Sequence, residues 1–224
     1  MAKKKESTLI NMLVALLVIA AVSGGVLGLV YGVTKDTIAQ VDQKKNEAAI
    51  KAVLPLEDVT YKADTMTFSD EGVDMTFPCN LAYDANGNFQ GAAVKTSEGG
   101  FGGKIDMMVG FLADGTIKGT SVLSHAETPG LGANMTGKFK DQFVDKNPAD
   151  FRLIVKKDGG DVDAITAATI TSRAFSKAVN KAYQAFMANK AQFMNNAPVE
   201  EEAPVMEEAP AEENNETEGG QSNE

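Results

Sequence analysis

The stretch Asp163-Ala164-Ile165-Thr166-Ala167-Ala168-Thr169-Ile170-Thr171-Ser172 opens the last helical pattern of the chain and crowds three threonines and a serine into its entrance. Hydroxyl side chains cap helices because they satisfy the first free backbone N–H donors, and one such residue is enough. The same entrance is a seat for phosphate, since its N–H groups and the helix dipole both favour negative charge. The residues alone leave two readings open. One is a Ser/Thr-rich cap; the other is a threonine hydroxyl that carries a phosphate as an ester.

Downstream, Phe175, Val179, Ala182 and Phe186 recur at helical spacing and predict an amphipathic helix over 172–191. Upstream the pattern is strand-like. Residues 59–68 alternate loosely, 80–83 and 89–95 flank the Asn-Gly turn at 84–88, and 105–112 and 116–123 flank the Ala113-Asp114-Gly115 turn. Gly99-Gly100-Phe101-Gly102-Gly103 lies between these hairpins as a loop. A short helix is expected at 138–143 and a short strand at 152–155. Antiparallel hairpins packed with helices make the fold class α+β.

The N-terminal part predicts a membrane anchor. Lys3-Lys4-Lys5 precedes an uncharged stretch over 7–34, whose core, 9–33, exceeds the ~20 residues that a bilayer-spanning helix needs. A cleaved signal peptide is the competing reading, but its apolar region usually runs only about 7–15 residues. The lysines place residues 1–8 in the cytoplasm and everything after Lys35 outside. Gly24, Gly25, Gly28 and Gly32 have the spacing that lets membrane helices approach one another. Residues 35–55 continue as a stalk helix that Pro55 ends, and 56–196 form the extracytoplasmic domain.

The net charge of −10 comes from one end of the chain. Of the 31 acidic residues, 10 are glutamates within 197–224, leaving 21 to balance the 21 basic ones. That segment reads as a disordered acidic tail. The nearly neutral body shows no basic face for nucleic acid. The single cysteine, Cys79, excludes an internal disulfide and any all-cysteine metal site, and it reads as a buried apolar residue, as do Met107 and Met108. One histidine, His125, supplies no Ser/His/Asp or Cys/His set. No catalytic residue and no metal site are assigned.

A second motif, His125-Ala126-Glu127-Thr128-Pro129-Gly130-Leu131-Gly132, reads by itself as a surface turn. Together with the 163–172 stretch it carries a family resemblance. The chain resembles the FMN-binding components of two membrane complexes, the G subunit of the Rnf complex and the C subunit of the sodium-pumping NADH:quinone reductase. In that family the pattern Asp-x-x-Ser/Thr-Gly-Ala-Thr ends on a threonine joined to the FMN phosphate by a phosphoester bond, which falls on Thr169. The resemblance covers roughly residues 35–191 and the anchor. It implies a covalent FMN held around Thr169 by Asp163, Thr166, Ala168, Ile170 and Thr171, with Glu127, Thr128, Gly130 and Leu131 from the second motif. Asp163 would orient the Thr169 hydroxyl region or the helix entrance and help the modifying enzyme recognise the site. Ala167 departs from the family glycine; its methyl group suits a negative φ and is strained at a positive one.

The function the resemblance implies is electron transfer within an Rnf-type complex, between ferredoxin and NAD, coupled to Na⁺ or H⁺ movement. Its partners would be the other membrane and electron-transfer subunits and a flavin transferase for maturation. The C subunit of the quinone reductase is the alternative. A stand-alone membrane-tethered flavin reductase would need acid and base groups that the sequence does not display. A non-redox membrane-anchored binding module is the third class.

Overall fold

The computed structural model describes residues 9–70 and 72–195; the expected cytoplasmic segment 1–8 and acidic tail 197–224 lie outside them. α1 is a single helix, Leu9–Val53, and among the described residues it is the one helix long and apolar enough to cross a membrane. It stops two residues before Pro55, whose ring cannot continue a helix. Five strands follow as an antiparallel meander in the order β1-β2-β3-β4-β5: Val59–Asp70, Val73–Asp84, Phe89–Gly99, Lys104–Leu112 and Ile117–Ser124. Three short 3₁₀ helices, Gly132–Thr136, Lys138–Phe143 and Lys156–Asp158, lead to the final helix α2, Thr169–Asn195.

The two sheet faces carry different loads. α2 covers one of them, burying Phe175, Val179, Ala182, Phe186 and Phe193 against Leu81, Tyr83, Phe89, Val109 and Phe111. Phe111 stacks on Phe186 with centroids 5.1 Å apart, and Phe139 meets Phe175 edge-on at 5.2 Å. Each fully buried phenylalanine contributes on the order of 1.5–3 kcal/mol. The opposite face receives the end of α1, where Ala49, Val53 and Leu54 pack on Ala82, Ala93 and Met108. Two cross-strand partners, Gly110 and Gly119, lie beneath Val53, and a Cβ on Gly110 would collide with the Val53 carbonyl. Absent side chains are what let the helix backbone settle on the sheet.

Three expectations shift. β2 starts at Val73, seven residues before the expected strand. β2 meets β3 only over Cys79–Tyr83, so Pro78 needs no N–H partner on that side and the strand continues through it. The expected strand at 152–155 reduces to one bridge, Val155 to Val162. α2 begins three residues before the expected helix and runs four beyond it. Cys79 is buried, and burial, reinforced by the nearby Asp64 charge, pushes its thiol up to about 12.

Candidate flavin site at the entrance of α2

Three segments meet at one end of the sheet: the β3–β4 loop, the chain after β5, and the first turn of α2. They enclose a cavity of about 390 Å³ lined by Phe101, Glu127, Thr128, Leu131, Gly132 and residues 167–171. Glu127 holds the three together. Its side chain is 5% exposed. Oε1 accepts the N–H groups of Phe101 at 2.7 Å and Gly102 at 3.1 Å, and Oε2 accepts the Thr171 hydroxyl at 2.9 Å. Gly100 and Gly132 stand against that carboxylate, where a Cβ would strike it. The glycine-rich loop is therefore shaped to bring backbone to a buried acid. The Glu127 N–H itself donates to His125 Nδ1 at 3.2 Å, which gives the exposed histidine a structural partner.

The hydroxyls of the α2 entrance have separate fates. Ser172 Oγ donates to the Ala168 carbonyl at 3.0 Å and accepts the Ile165 N–H at 2.9 Å, closing the turn before the helix. Thr171 is committed to Glu127. Thr166 is exposed and does not line the cavity. Thr169 lines the cavity, and its hydroxyl makes no hydrogen bond within the described residues. The N–H groups of Thr169, Ile170 and Thr171 also make no hydrogen bond within the described residues. One helix N-terminus thus combines a hydroxyl and three N–H donors that have no partner among the described residues, the chemistry that a phosphate fits. Phe101, Leu131, Ala167, Ala168 and Ile170 give the cavity a largely apolar wall, which suits a flat conjugated ring, with Glu127, Thr128 and Thr171 as its polar points.

Of the other expected site residues, Ala168, Ile170, Thr128 and Leu131 line the cavity. Gly130, at φ +77°, forms the outer turn and stands apart from the lining. Asp163 is exposed and lies off the cavity: Oδ2 pairs with Lys156 Nζ at 2.8 Å, and its N–H donates to Gln142 Oε1. It braces the approach to the helix and leaves the Thr169 hydroxyl untouched. Ala167 takes φ +59°, the left-handed region, so the methyl group sits where the backbone favours glycine. Phe101 joins the lining from outside both motifs, and Gly132, which closes the second motif without being an expected site residue, lines it too. For Phe101 the signal in the sequence is an aromatic residue flanked by four glycines, which gives it no neighbouring side chains to be buried among.

The FMN-binding domain family matches residues 100–184. Over 180 residues the chain is 36% identical to the G subunit of the ion-translocating oxidoreductase complex of Vibrio atlanticus, covering 75% of this chain and 86% of that one. It is 35% identical to the same component of Methanosarcina acetivorans, covering 81% and 95%. It is also 35% identical to the G subunit of the Na⁺-translocating ferredoxin:NAD⁺ oxidoreductase complex of Acetobacterium woodii, covering 76% and 88%. The fold is shared with a crystal structure of the C subunit of the Na⁺-translocating NADH-quinone reductase from Parabacteroides distasonis, at TM-score 0.50 and 18% identity over 67% of this chain and 94% of that one. With identity of this order sustained over most of both chains, the protein belongs to the family of G subunits of ion-translocating oxidoreductase complexes.

Proposed function

We propose that this chain is the membrane-anchored electron carrier of an Rnf-type complex, with FMN esterified to Thr169. The observation that carries the assignment is the division of labour among the hydroxyls: Thr171 and Ser172 are buried and engaged, Thr166 is off the cavity, and Thr169 lines the cavity with a hydroxyl that has no partner among the described residues, at a helix entrance whose first N–H groups also have none. Bound FMN supplies one- and two-electron chemistry. The chain's own residues hold the phosphate at the α2 N-terminus, present an apolar wall to the ring and keep the loop closed through Glu127. Among the described residues the cavity lining has one titratable group, Glu127, and both of its oxygens are occupied by donors. That favours a carrier over a reductase with its own acid–base pair. By analogy with the relatives, the complex would pass electrons between ferredoxin and NAD and translocate Na⁺ or H⁺.

In this reading residues 9–33 span the membrane, 35–55 form the stalk, and 56–196 form a flavin domain on the outer face, with Lys3 to Lys5 inside. Maturation needs a flavin transferase on the same side as the domain. Protein made with such a transferase keeps its flavin fluorescence on a denaturing gel; Thr169→Ala loses it and Thr171→Ala retains it. Equal fluorescence from Thr169→Ala sinks the assignment. Protease added to spheroplasts removes the domain beyond Lys35, and full protection reverses the orientation.

A further inference from the structure

The end of the domain that holds the cavity also carries three large apolar side chains in the open. Phe101 is 72% exposed, Ile170 52% and Leu131 43%, and all three line the cavity. The height of that end relative to the apolar part of α1 follows from where α1 touches the sheet. Val53 lies over Gly110 and Gly119. Nearer the N-terminus, Asp42, Lys45 and Asn46 share a cleft with Lys95, Asp106, Leu123 and Ser124. A strand from Gly110 to Asp106 covers about 13 Å. A helix from Val53 to Lys45 covers about 12 Å. The two markers agree, so α1 runs alongside β4 with little divergence.

The same alignment extends to the cavity. From Gly110 to Lys104, the first residue of β4, is about 20 Å of strand. That matches about 13 residues of helix and brings Lys104 level with Gln40. The 99–103 loop projects past Lys104 in the direction of Thr34 and Val33, where the uncharged stretch ends. Gln40 and Thr34 are only about 9 Å apart along the helix, and the polar layer of a bilayer is roughly 5–8 Å deep on each side.

From this register we propose that Phe101, Leu131 and Ile170 form an apolar lip seated in the interfacial layer of the bilayer that α1 spans, so that lipid covers the cavity mouth. The proposal rests on the reading of α1 as a membrane span; it does not depend on flavin attachment. The lip's chemistry suits that layer, where apolar side chains sit some 5–10 Å into the headgroup and acyl boundary. Lys104, whose side chain is 68% exposed and pairs with Asp106 at 3.2 Å, stands at the outer edge of the headgroup layer.

The chain has no tryptophan, so each substitution below gives a single-indole protein. The full chain, made without flavin transferase so that no flavin competes as a quencher, is reconstituted into phosphatidylcholine–phosphatidylglycerol vesicles. Its emission is compared with and without a phosphatidylcholine brominated on its acyl chains. Leu17→Trp in the span reports the anchor, and Ala85→Trp, in the β2–β3 turn at the opposite end of the sheet, reports the bulk phase. The lip predicts about a twofold loss of emission in Phe101→Trp and Ile170→Trp, a larger loss in Leu17→Trp, and none in Ala85→Trp. If Leu17→Trp is quenched while Phe101→Trp and Ile170→Trp behave like Ala85→Trp, the lip is wrong and the anchor stands. If Leu17→Trp is not quenched, the anchor fails and the lip with it. A blue shift of Phe101→Trp emission that appears only with the other proteins of the complex present, without lipid quenching, overturns the lip in favour of a protein cover.

Discussion

Thr171 donates a hydrogen bond from its hydroxyl to Glu127 Oε2 across 44 residues of chain, at 2.9 Å, and thereby ties the α2 entrance to the loop that shapes the cavity. Both residues are essentially out of solvent. Neither can turn to water if the other is removed, so the pair is worth more intact than its single hydrogen bond suggests.

Glu127→Ala leaves the Thr171 hydroxyl and the Phe101 and Gly102 N–H groups without their acceptor. The expected loss is about 2–4 kcal/mol, a fall in Tm of about 5–15 °C for a chain of this size. Glu127→Gln keeps an oxygen for the loop N–H groups and loses less. Thermal denaturation of both variants, combined with Thr171→Val in a double-mutant cycle, measures the coupling. An unchanged Tm in Glu127→Ala contradicts the bracing role.

Ala167→Gly stabilises the protein. The left-handed φ of +59° costs an alanine about 1–2 kcal/mol, while the added freedom of glycine in the unfolded chain costs about 0.5–1 kcal/mol. The net gain is about 0.5–1 kcal/mol, read as a higher Tm, with flavin yield in the presence of the transferase no lower than in the parent. A lower Tm shows that the position tolerates its methyl group for a reason outside backbone strain.

Gly110→Ala loosens the stalk. The colliding atom is the backbone carbonyl of Val53, which no rotamer change can move aside. Overpacking of this kind costs about 1–3 kcal/mol. Limited proteolysis in detergent micelles then cuts faster between Val53 and Val59, while the sheet and α2 stay resistant. Equal cutting rates mean that the stalk does not rest on the sheet in solution.

Glu98 sets an acid limit. Burial alone would raise its carboxyl, but the ammonium groups of Lys181 and Lys177, paired with it at 2.6 and 3.3 Å, outweigh this and hold it below the ordinary carboxylate value. A lowered folded-state value stabilises above the unfolded value, near 4.3, and that contribution disappears as pH falls through the folded value. Glu98→Gln is therefore less stable than the parent at pH ~7 by about 1 kcal/mol, and the two converge in strong acid. A constant difference across the range assigns the effect to packing.

The two site segments are legible in the sequence because each motif carries its chemistry in short-range order: hydroxyls at a helix entrance, and an acid followed by a glycine-containing turn. The hairpin turns at 84–88 and 113–115 are legible for the same reason, since asparagine, aspartate and glycine act locally. What stays hidden depends on distant partners. Pro78 ends a strand by local rules and is tolerated here because β3 pairs with β2 only from Cys79. Ala167 takes its positive φ within a turn that the Ser172 hydroxyl bridges from inside α2. Asp163 lies in the motif yet pairs with Lys156 off the cavity, a choice made by the 3₁₀ turn that carries that lysine. Glu127 is legible as a site residue, but its place as the joint between the loop and α2 emerges only once the sheet brings residues 101 and 171 together.

The unbroken path from Leu9 to the seat of Val53 makes α1 behave like a screw thread cut into the protein. With α1 read as a membrane anchor, each residue added to it before Val53 lifts the domain by about 1.5 Å and turns it by about 100°. Height and facing cannot be adjusted separately by single insertions. Seven added residues bring the domain back to nearly its original bearing but about 10 Å farther out, whereas four leave it turned by roughly 40°. A lineage that lengthens this stalk must therefore do so in near-whole double turns or redesign what the domain faces.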